Sequence, residues 1–236
     1  MTAARLLKRA FYRRSPLEVA PDLLGKVLIA ADGRRGRIVE VEAYGGADDP
    51  ASHAYRGRTP RNNTMWGPPG HLYLYFTYGM HWCANATCGP EGVAGAVLLR
   101  AVEPLDGLEV MRRARWTTQR QQRDLDLCRG PGRLCQALGW DGALDGADLT
   151  TGAGPAAITE DGRAAPPQVA TPRIGLRVAT QRPWRWVVAG SHWASGPRTL
   201  APAPAPPAPA APGATSPPPT GPGAGPTPDG HEAAAG

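Results

Sequence analysis

The spacing of apolar and polar positions changes period along the chain, and each change marks an element. Ser15-Pro16-Leu17-Glu18 offers a cap residue, a proline at the first helical position and a glutamate three residues after the cap, and Val19, Leu23 and Leu24 follow on a helical period. This predicts a short helix ending near Gly25. Lys26 to Ala31 and Arg37 to Tyr44 are apolar, β-branched runs on either side of Asp32-Gly33-Arg34-Arg35-Gly36, the signature of a hairpin. Period two in the second strand places Ile38, Glu40, Glu42 and Tyr44 on one face and Val39, Val41 and Ala43 on the other. The two acids therefore share a face.

His71 to Tyr78 is the strongest strand pattern; Trp82 to Thr87 and Ala94 to Val102 follow, the last nearly all apolar and so expected to be central. Pro104 is expected to open a helix through Arg115, and residues 133–140 form another short one. Arg173 to Val178 and Trp184 to Val188 are expected as closing strands. Gly45 to Gly70 is turn-rich, polar and too long for a plain connector, which marks it as a functional loop. There is no internal repeat and no regular βαβ alternation. The expected fold class is therefore α+β: a single domain with a curved, mainly antiparallel or mixed sheet flanked by short helices.

Composition sets the boundaries. Residues 197–236 hold 13 of the 27 prolines, no aromatic and only Leu200 as a large aliphatic, too little apolar surface to offset the entropy of ordering. The chain thus divides into a basic N-terminal arm at 1–9, a domain at 10–196 and a disordered tail at 197–236. Without the tail the net charge rises from +6 to +7, which favours a polyanionic partner without separating nucleic acid from an acidic membrane surface. The N-terminus MTAARLLKRAFYRR lacks an apolar run and no segment approaches ~20 apolar residues, so a cytoplasmic protein is expected, with monomer as the default state. The four cysteines, at 83, 88, 128 and 135, lack the tight pairing of zinc sites and are expected as free thiols. Lys8 and Lys26 are the only lysines, which limits any mechanism that needs an amine.

Five of the six tyrosines (Tyr44, Tyr55, Tyr73, Tyr75, Tyr78) fall between positions 44 and 78, in company with His53, His71 and His81. Core packing explains either Tyr73 or Tyr75 alone. Clustered in a basic domain, they also offer π-faces for a stacked base, each worth roughly 1–3 kcal/mol. Glu42 is a carboxylate in an apolar strand, and Arg100 interrupts the run AVLLRAV, where a charge is costly unless paired. The two read either as a structural salt bridge or as a shared polar site for general-base hydrolysis, the carboxylate taking a proton from water that the arginine orients. Arg61-Asn62-Asn63 is ordinary turn chemistry, whereas Asn85 inside a strand needs partners if buried. The sequence has no Gly-rich phosphate loop, serine-nucleophile motif or HExxH. The three histidines with Glu42 have generic spacing and make a weak metal set. A metal hydrolase and a non-catalytic nucleic-acid-binding module are the rival classes.

One ordered series of motifs goes further. Ile38-Val39-Glu40-Val41-Glu42-Ala43-Tyr44, Ala51-Ser52-His53, Thr59-Pro60-Arg61-Asn62, Met65, Pro69-Gly70, Tyr73-Leu74-Tyr75, Tyr78-Gly79-Met80, Cys83, Asn85 and Val97-Leu98-Leu99-Arg100-Ala101-Val102-Glu103-Pro104 are followed by Gly130-Pro131-Gly132-Arg133-Leu134-Cys135, Arg173-Ile174-Gly175 and Pro183-Trp184-Arg185-Trp186. The series resembles the alkyladenine (3-methyladenine) DNA glycosylase family over about residues 10 to 196. That resemblance implies an enzyme of base excision repair that flips alkylated or deaminated purines out of damaged double-stranded DNA and hydrolyses the N-glycosidic bond, with no metal and no cofactor. It implies Glu42 as general base with Arg100 and the Ile174 carbonyl positioning the water. Tyr44, Tyr75 and His53 would sandwich the base, His53 and the Ala51 backbone would read its edge, and Asn85 would disfavour guanine. Tyr78 and Met80 would enter the duplex, and Arg61, Asn62 and Arg133 would meet the DNA backbone. Lysine is frequent in the family where Arg133 stands, and the segment 116–128 lacks a clear counterpart. With no lysine among the matched pocket positions, a monofunctional enzyme is expected.

Overall fold

The computed structural model describes residues 4–116 and 123–196. The expected tail at 197–236, the first three residues of the basic arm and residues 117–122 of the unmatched segment lie outside the described residues.

Among the described residues nine strands, every pair antiparallel, form one curled sheet in a single domain. They are β1 (Arg5–Leu6), β2 (Val27–Ala30), β3 (Arg35–Tyr44), β4 (Leu72–Thr77), β5 (His81–Thr87), β6 (Ala96–Asp106), β7 (Ala156–Glu160), β8 (Gln168–Thr171) and β9 (Arg185–Val188). The order across the sheet is β1-β7-β2-β3-β6-β5-β4, with β9 paired to β3 and β8 to β9. Four short helices accompany it: α1 (Arg9–Tyr12), α2 (Pro16–Leu23), α3 (Leu108–Arg115) and α4 (Pro131–Leu138). The α+β expectation therefore holds, and the choice between antiparallel and mixed resolves to antiparallel. One core joins α2, α3 and α4 to the sheet through Val19, Leu23, Val41, Leu99, Met111 and Leu134.

Local chemistry explains the start of α2 and the β2–β3 turn. Ser15 Oγ accepts from the Leu17 N–H at 3.1 Å while Glu18 accepts from the Ser15 N–H at 3.1 Å, the reciprocal cap that the sequence predicts for α2. The β2–β3 hairpin turns at Gly33, whose φ of +85° is open to glycine at little cost.

Two expectations fail. The helix expected from Pro104 begins only at Leu108, because β3 keeps β6 extended to Asp106; Pro104 sits opposite Gly36, well beyond Leu98 where β5 leaves β6, and so breaks no central ladder. Arg173 to Val178 is not a strand, since Gly175 takes φ +77° and Ala179 φ +50°. Strands β1, β7 and β8 have no strong pattern of their own and are specified by the neighbours they pair with.

The β3 alternation also breaks, and the break builds the site. Val39 has no partner between the pairs Ile38↔Val102 and Glu40↔Ala101, and Arg100 has none between Glu40↔Ala101 and Val41↔Leu99. One extra residue on each strand re-aims the side chains on both. Ile38 consequently leaves the expected face and joins Val41, Ala43, Leu99 and Val102 in the core, while Glu40 and Glu42 remain together with Arg100.

Candidate active site

Strand β3 divides its outer edge between two partners. Arg35 to Arg37 pair with β2, and Glu40 to Glu42 pair with β9. The two carboxylates are thus enclosed by β6 on one side and β9 on the other, and neither has exposed surface. A buried carboxylate survives only where donors replace water. Glu42 Oε1 accepts from the Ile174 N–H at 2.8 Å and faces Arg100 Nη1 at 3.1 Å, and Oε2 accepts from the Tyr44 hydroxyl at 2.8 Å. For Glu42 and Arg100 the geometry shows the ion pair and sets it beside a cavity.

That cavity, of about 690 Å³, is lined by Tyr44, His53, Tyr73, Tyr75, Asn85 and Arg100 among others, with Ala51 and Ile174 also on its wall. Glu42 itself lies immediately behind the lining, reached through Tyr44, Arg100 and Ile174. His53 and Tyr75 meet edge to face, with centroids 4.5 Å apart and planes at 81°, so these two rings form a single wall and leave no slot between them. His53 Nδ1 lies 3.0 Å from the Tyr73 hydroxyl. Asn85, buried as a strand asparagine must be with partners, donates to the Tyr73 carbonyl at 3.1 Å.

Electrostatics fix the protonation states. Burial, then the adjacent Glu42 charge, drives the Tyr44 hydroxyl far above its ordinary range, and burial does the same to Tyr75. Tyr73 is pushed up to about 12 by burial. All three stay neutral donors at neutral pH. Burial also holds the His53 imidazole below its usual range, aided by the Arg61 charge, so it is neutral as well. For Arg100, burial works against the charge, but Glu42 and Glu40 outweigh it and hold the guanidinium protonated.

The remaining candidates divide. Tyr78 stands at the tip of the β4–β5 hairpin, 82% exposed at φ +51°, a conformation that a bulky residue adopts only under constraint, with Met80 63% exposed beside it. Arg133 is half-exposed on α4 and paired with Asp126 at 3.0 Å, and Arg61 lies with its Cζ 5.6 Å from the Tyr75 ring centre. Asn62 is not available to a DNA backbone: it is buried, its amide donating to the His53 and Gly57 carbonyls at 2.9 and 3.0 Å and its oxygen accepting from the Thr59 N–H at 2.7 Å. It ties the functional loop together instead. The histidines do not converge. His71 bonds the Pro68 carbonyl and neighbours Arg9, His81 packs against Gly132, and the described residues hold no cluster of metal-ligating side chains. The four cysteines are free and buried.

Sequence reasoning passed over four contributors. Arg173 and Asp49 form a fully buried bidentate pair at 2.6 and 2.8 Å, and the Arg173 Cζ lies 4.7 Å from the Tyr44 ring centre, fixing that ring. Arg185 and Ser195 both bind Glu40. A charge inside the aromatic run Pro183-Trp184-Arg185-Trp186 was the available signal for Arg185; Ser195 had none.

The methylpurine-DNA glycosylase family model matches residues 10–192 of the chain. A relative from Burkholderia lata is 62% identical over 195 residues, covering 82% of this chain and 93% of its own. One from Rhodopseudomonas palustris is 50% identical over 192 residues, 81% and 91% of the two chains, and one from Streptomyces avermitilis 48% identical over 202, 83% and 91%. Each of the three bears the name "Putative 3-methyladenine DNA glycosylase". A match spanning most of the chain, with relatives this similar over nearly their whole length, means that the protein belongs to the methylpurine-DNA glycosylase family, enzymes that hydrolyse N-glycosidic bonds in DNA.

Proposed function

We propose that the protein excises alkylated or deaminated purines, 3-methyladenine among them, by flipping the damaged nucleotide out of double-stranded DNA into the aromatic cavity and hydrolysing its glycosidic bond with water activated by Glu42. The observation that carries this reading is the placement of a fully buried carboxylate directly behind a cavity walled by neutral aromatic rings. A carboxylate has about four acceptor sites. Three are taken by Ile174, Arg100 and Tyr44, leaving one for a water positioned against the sugar. As the bond breaks, positive charge develops on the deoxyribose, and Glu42 both stabilises that charge and removes the proton of the attacking water. Arg100 holds the carboxylate in place.

The base stacks between Tyr44 on one side and the joined His53–Tyr75 wall on the other, with Ala51 and Asn85 at its edge. Neutral rings suit this task, because a cationic His53 would repel a cationic alkylated purine. Tyr78 and Met80 fill the gap left in the duplex, and Arg133 and Arg61 contact phosphates without reading sequence. Flipping costs a few kcal/mol, least for a weakly paired lesion, which supplies part of the selectivity. Lys26 is bound to Glu160 at 3.1 Å and neither lysine lines the cavity, in keeping with a monofunctional enzyme that forms no Schiff base. The protein works as a monomer in the cytoplasm, residues 10–196 forming the catalytic domain; among the described residues no helix is long and apolar enough to cross a membrane.

The test is a set of duplexes carrying 3-methyladenine, 7-methylguanine, hypoxanthine or ethenoadenine. Release of free base followed by strand cleavage only after alkali supports the proposal. Binding without release from any of the four favours the non-catalytic module, and loss of activity with EDTA favours the metal hydrolase. A borohydride-trapped DNA adduct contradicts monofunctionality.

A further inference from the structure

The proposed reaction needs one buried carboxylate, and β3 carries two, Glu40 and Glu42. Glu40, two residues before Glu42 on β3, is equally inaccessible and is not itself part of the cavity lining. Its Oε1 accepts from Arg185 Nε at 2.7 Å, Arg100 Nε at 2.8 Å and Ser195 Oγ at 2.9 Å, and its Oε2 accepts from the Ser195 N–H at 2.5 Å. Desolvating a second carboxylate next to the first is costly, and hydrophobic residues of similar size often serve stability as well. Stability alone therefore gives no reason for its presence.

The nitrogens of Arg100 supply one. Nε is held by Glu40, Nη2 donates to Ser195 Oγ at 3.3 Å, and only Nη1 is left to face Glu42, at 3.1 Å. Every nitrogen of the guanidinium thus has one assigned partner. Released from Glu40, the fork of Arg100 would be free to turn and clamp both oxygens of Glu42, the geometry that arginine and carboxylate favour. That clamp would cover the acceptor site on which the proposed chemistry depends. Two carboxylates against two arginines, Arg100 and Arg185, also balance the buried charge. Ser195 closes the group from the far end of the domain, anchored on both sides: its carbonyl accepts from Arg185 Nη2 at 2.8 Å, and the neighbouring Ala194 carbonyl accepts from Arg129 Nε at 2.6 Å. It stands three residues beyond the span that the family model covers.

We infer that Glu40 and Ser195 are positioning residues for the glycosylase reaction, locking Arg100 into a single-point contact with Glu42 Oε1 so that the remaining acceptor site on Oε2 stays open for water. The inference rests on the reading of Glu42 as the general base.

The experiment measures single-turnover base release and equilibrium binding on a lesion duplex for Ser195→Ala, Ser195→Thr and Glu40→Gln, with Glu42→Gln as reference. Glu40→Gln is expected to slow release by about 10–100-fold, and Ser195→Ala by about 3–10-fold, with affinity changed less than about twofold, since misplacement by ~1 Å costs up to ~100-fold. Ser195→Thr keeps the hydroxyl and restores the rate. The Ser195 pair carries the test even where Glu40→Gln fails to fold. In an Arg100→Gln background, Ser195→Ala should cost nothing further, because its effect runs through Arg100. Wild-type rates for Ser195→Ala, or a loss that threonine does not rescue, overturn the inference while an inactive Glu42→Gln leaves the site reading standing. Full activity of Glu42→Gln overturns both.

Discussion

The Tyr44 hydroxyl donates to Glu42 Oε2 at 2.8 Å while the ring of the same tyrosine forms part of the cavity wall. One side chain therefore serves two purposes, and a single atom separates them. Tyr44→Phe keeps the stacking surface and removes the donor. Base release should slow by about tenfold, the rate equivalent of ~1.4 kcal/mol, with lesion affinity preserved. Tyr44→Ala should lose both. Single-turnover rates beside binding isotherms distinguish the cases; equal loss of affinity in the two variants contradicts the division.

Acidification should act through His53. Its folded imidazole titrates below the ordinary ~6.5, so between those two values the unfolded chain binds more protons than the folded one and stability rises with pH. The stabilisation is complete above ~6.5 and is lost as pH falls through the folded value. Thermal unfolding followed from about pH 7.5 to about pH 5 should show a steeper fall in Tm for the wild type than for His53→Gln. Parallel curves would contradict the assignment.

Tyr78 bonds to nothing that holds the domain together, being 82% exposed at the hairpin tip. Tyr78→Ser should leave Tm unchanged or slightly raised, since Tyr78 holds a left-handed backbone, yet weaken lesion-duplex binding by about 5–150-fold, the worth of one lost stacking contact of ~1–3 kcal/mol. A loss of stability comparable to the loss of binding would show that the ring belongs to the fold.

Behind Tyr44, Arg173 and Asp49 are a pair with no exposed side-chain surface. Arg173→Met leaves the buried Asp49 charge with only Arg182 at 3.8 Å and should cost about 3 kcal/mol of stability, whereas replacing both partners with apolar residues of similar volume should cost far less. Chemical denaturation of the single and double variants measures the difference; equal costs contradict the pairing.

How much of this was legible beforehand depended on how local the signal was. The cap of α2, the β2–β3 hairpin and the strand from Leu72 are written in neighbouring residues, and they were readable. Glu42 and Arg100 were readable too, because a charge in an apolar strand announces itself whatever its partner. The paired bulges at Val39 and Arg100 were not, since they arise between strands about 60 residues apart, and they moved Ile38 to the opposite face from the one its alternation predicts. Asn62 divides two readings: its turn chemistry was legible and agrees with its reciprocal cap with Thr59, whereas the DNA contact implied by the resemblance meets an amide that the folded loop turns inward. Glu40 was placed correctly beside Glu42, but its partners Arg185 and Ser195 come from the end of the domain and leave no trace near it in sequence.

The central claim is that the carboxylate of Glu42, hidden behind the rings, performs the chemistry rather than merely shaping the pocket. Glu42→Gln retains size and hydrogen-bonding capacity but has neither charge nor basicity. Single-turnover release from a 3-methyladenine or hypoxanthine duplex, measured with binding to the same duplex, should show affinity within about threefold of wild type and base release slowed by at least ~100-fold. Turnover at the wild-type rate by the folded variant would contradict the account.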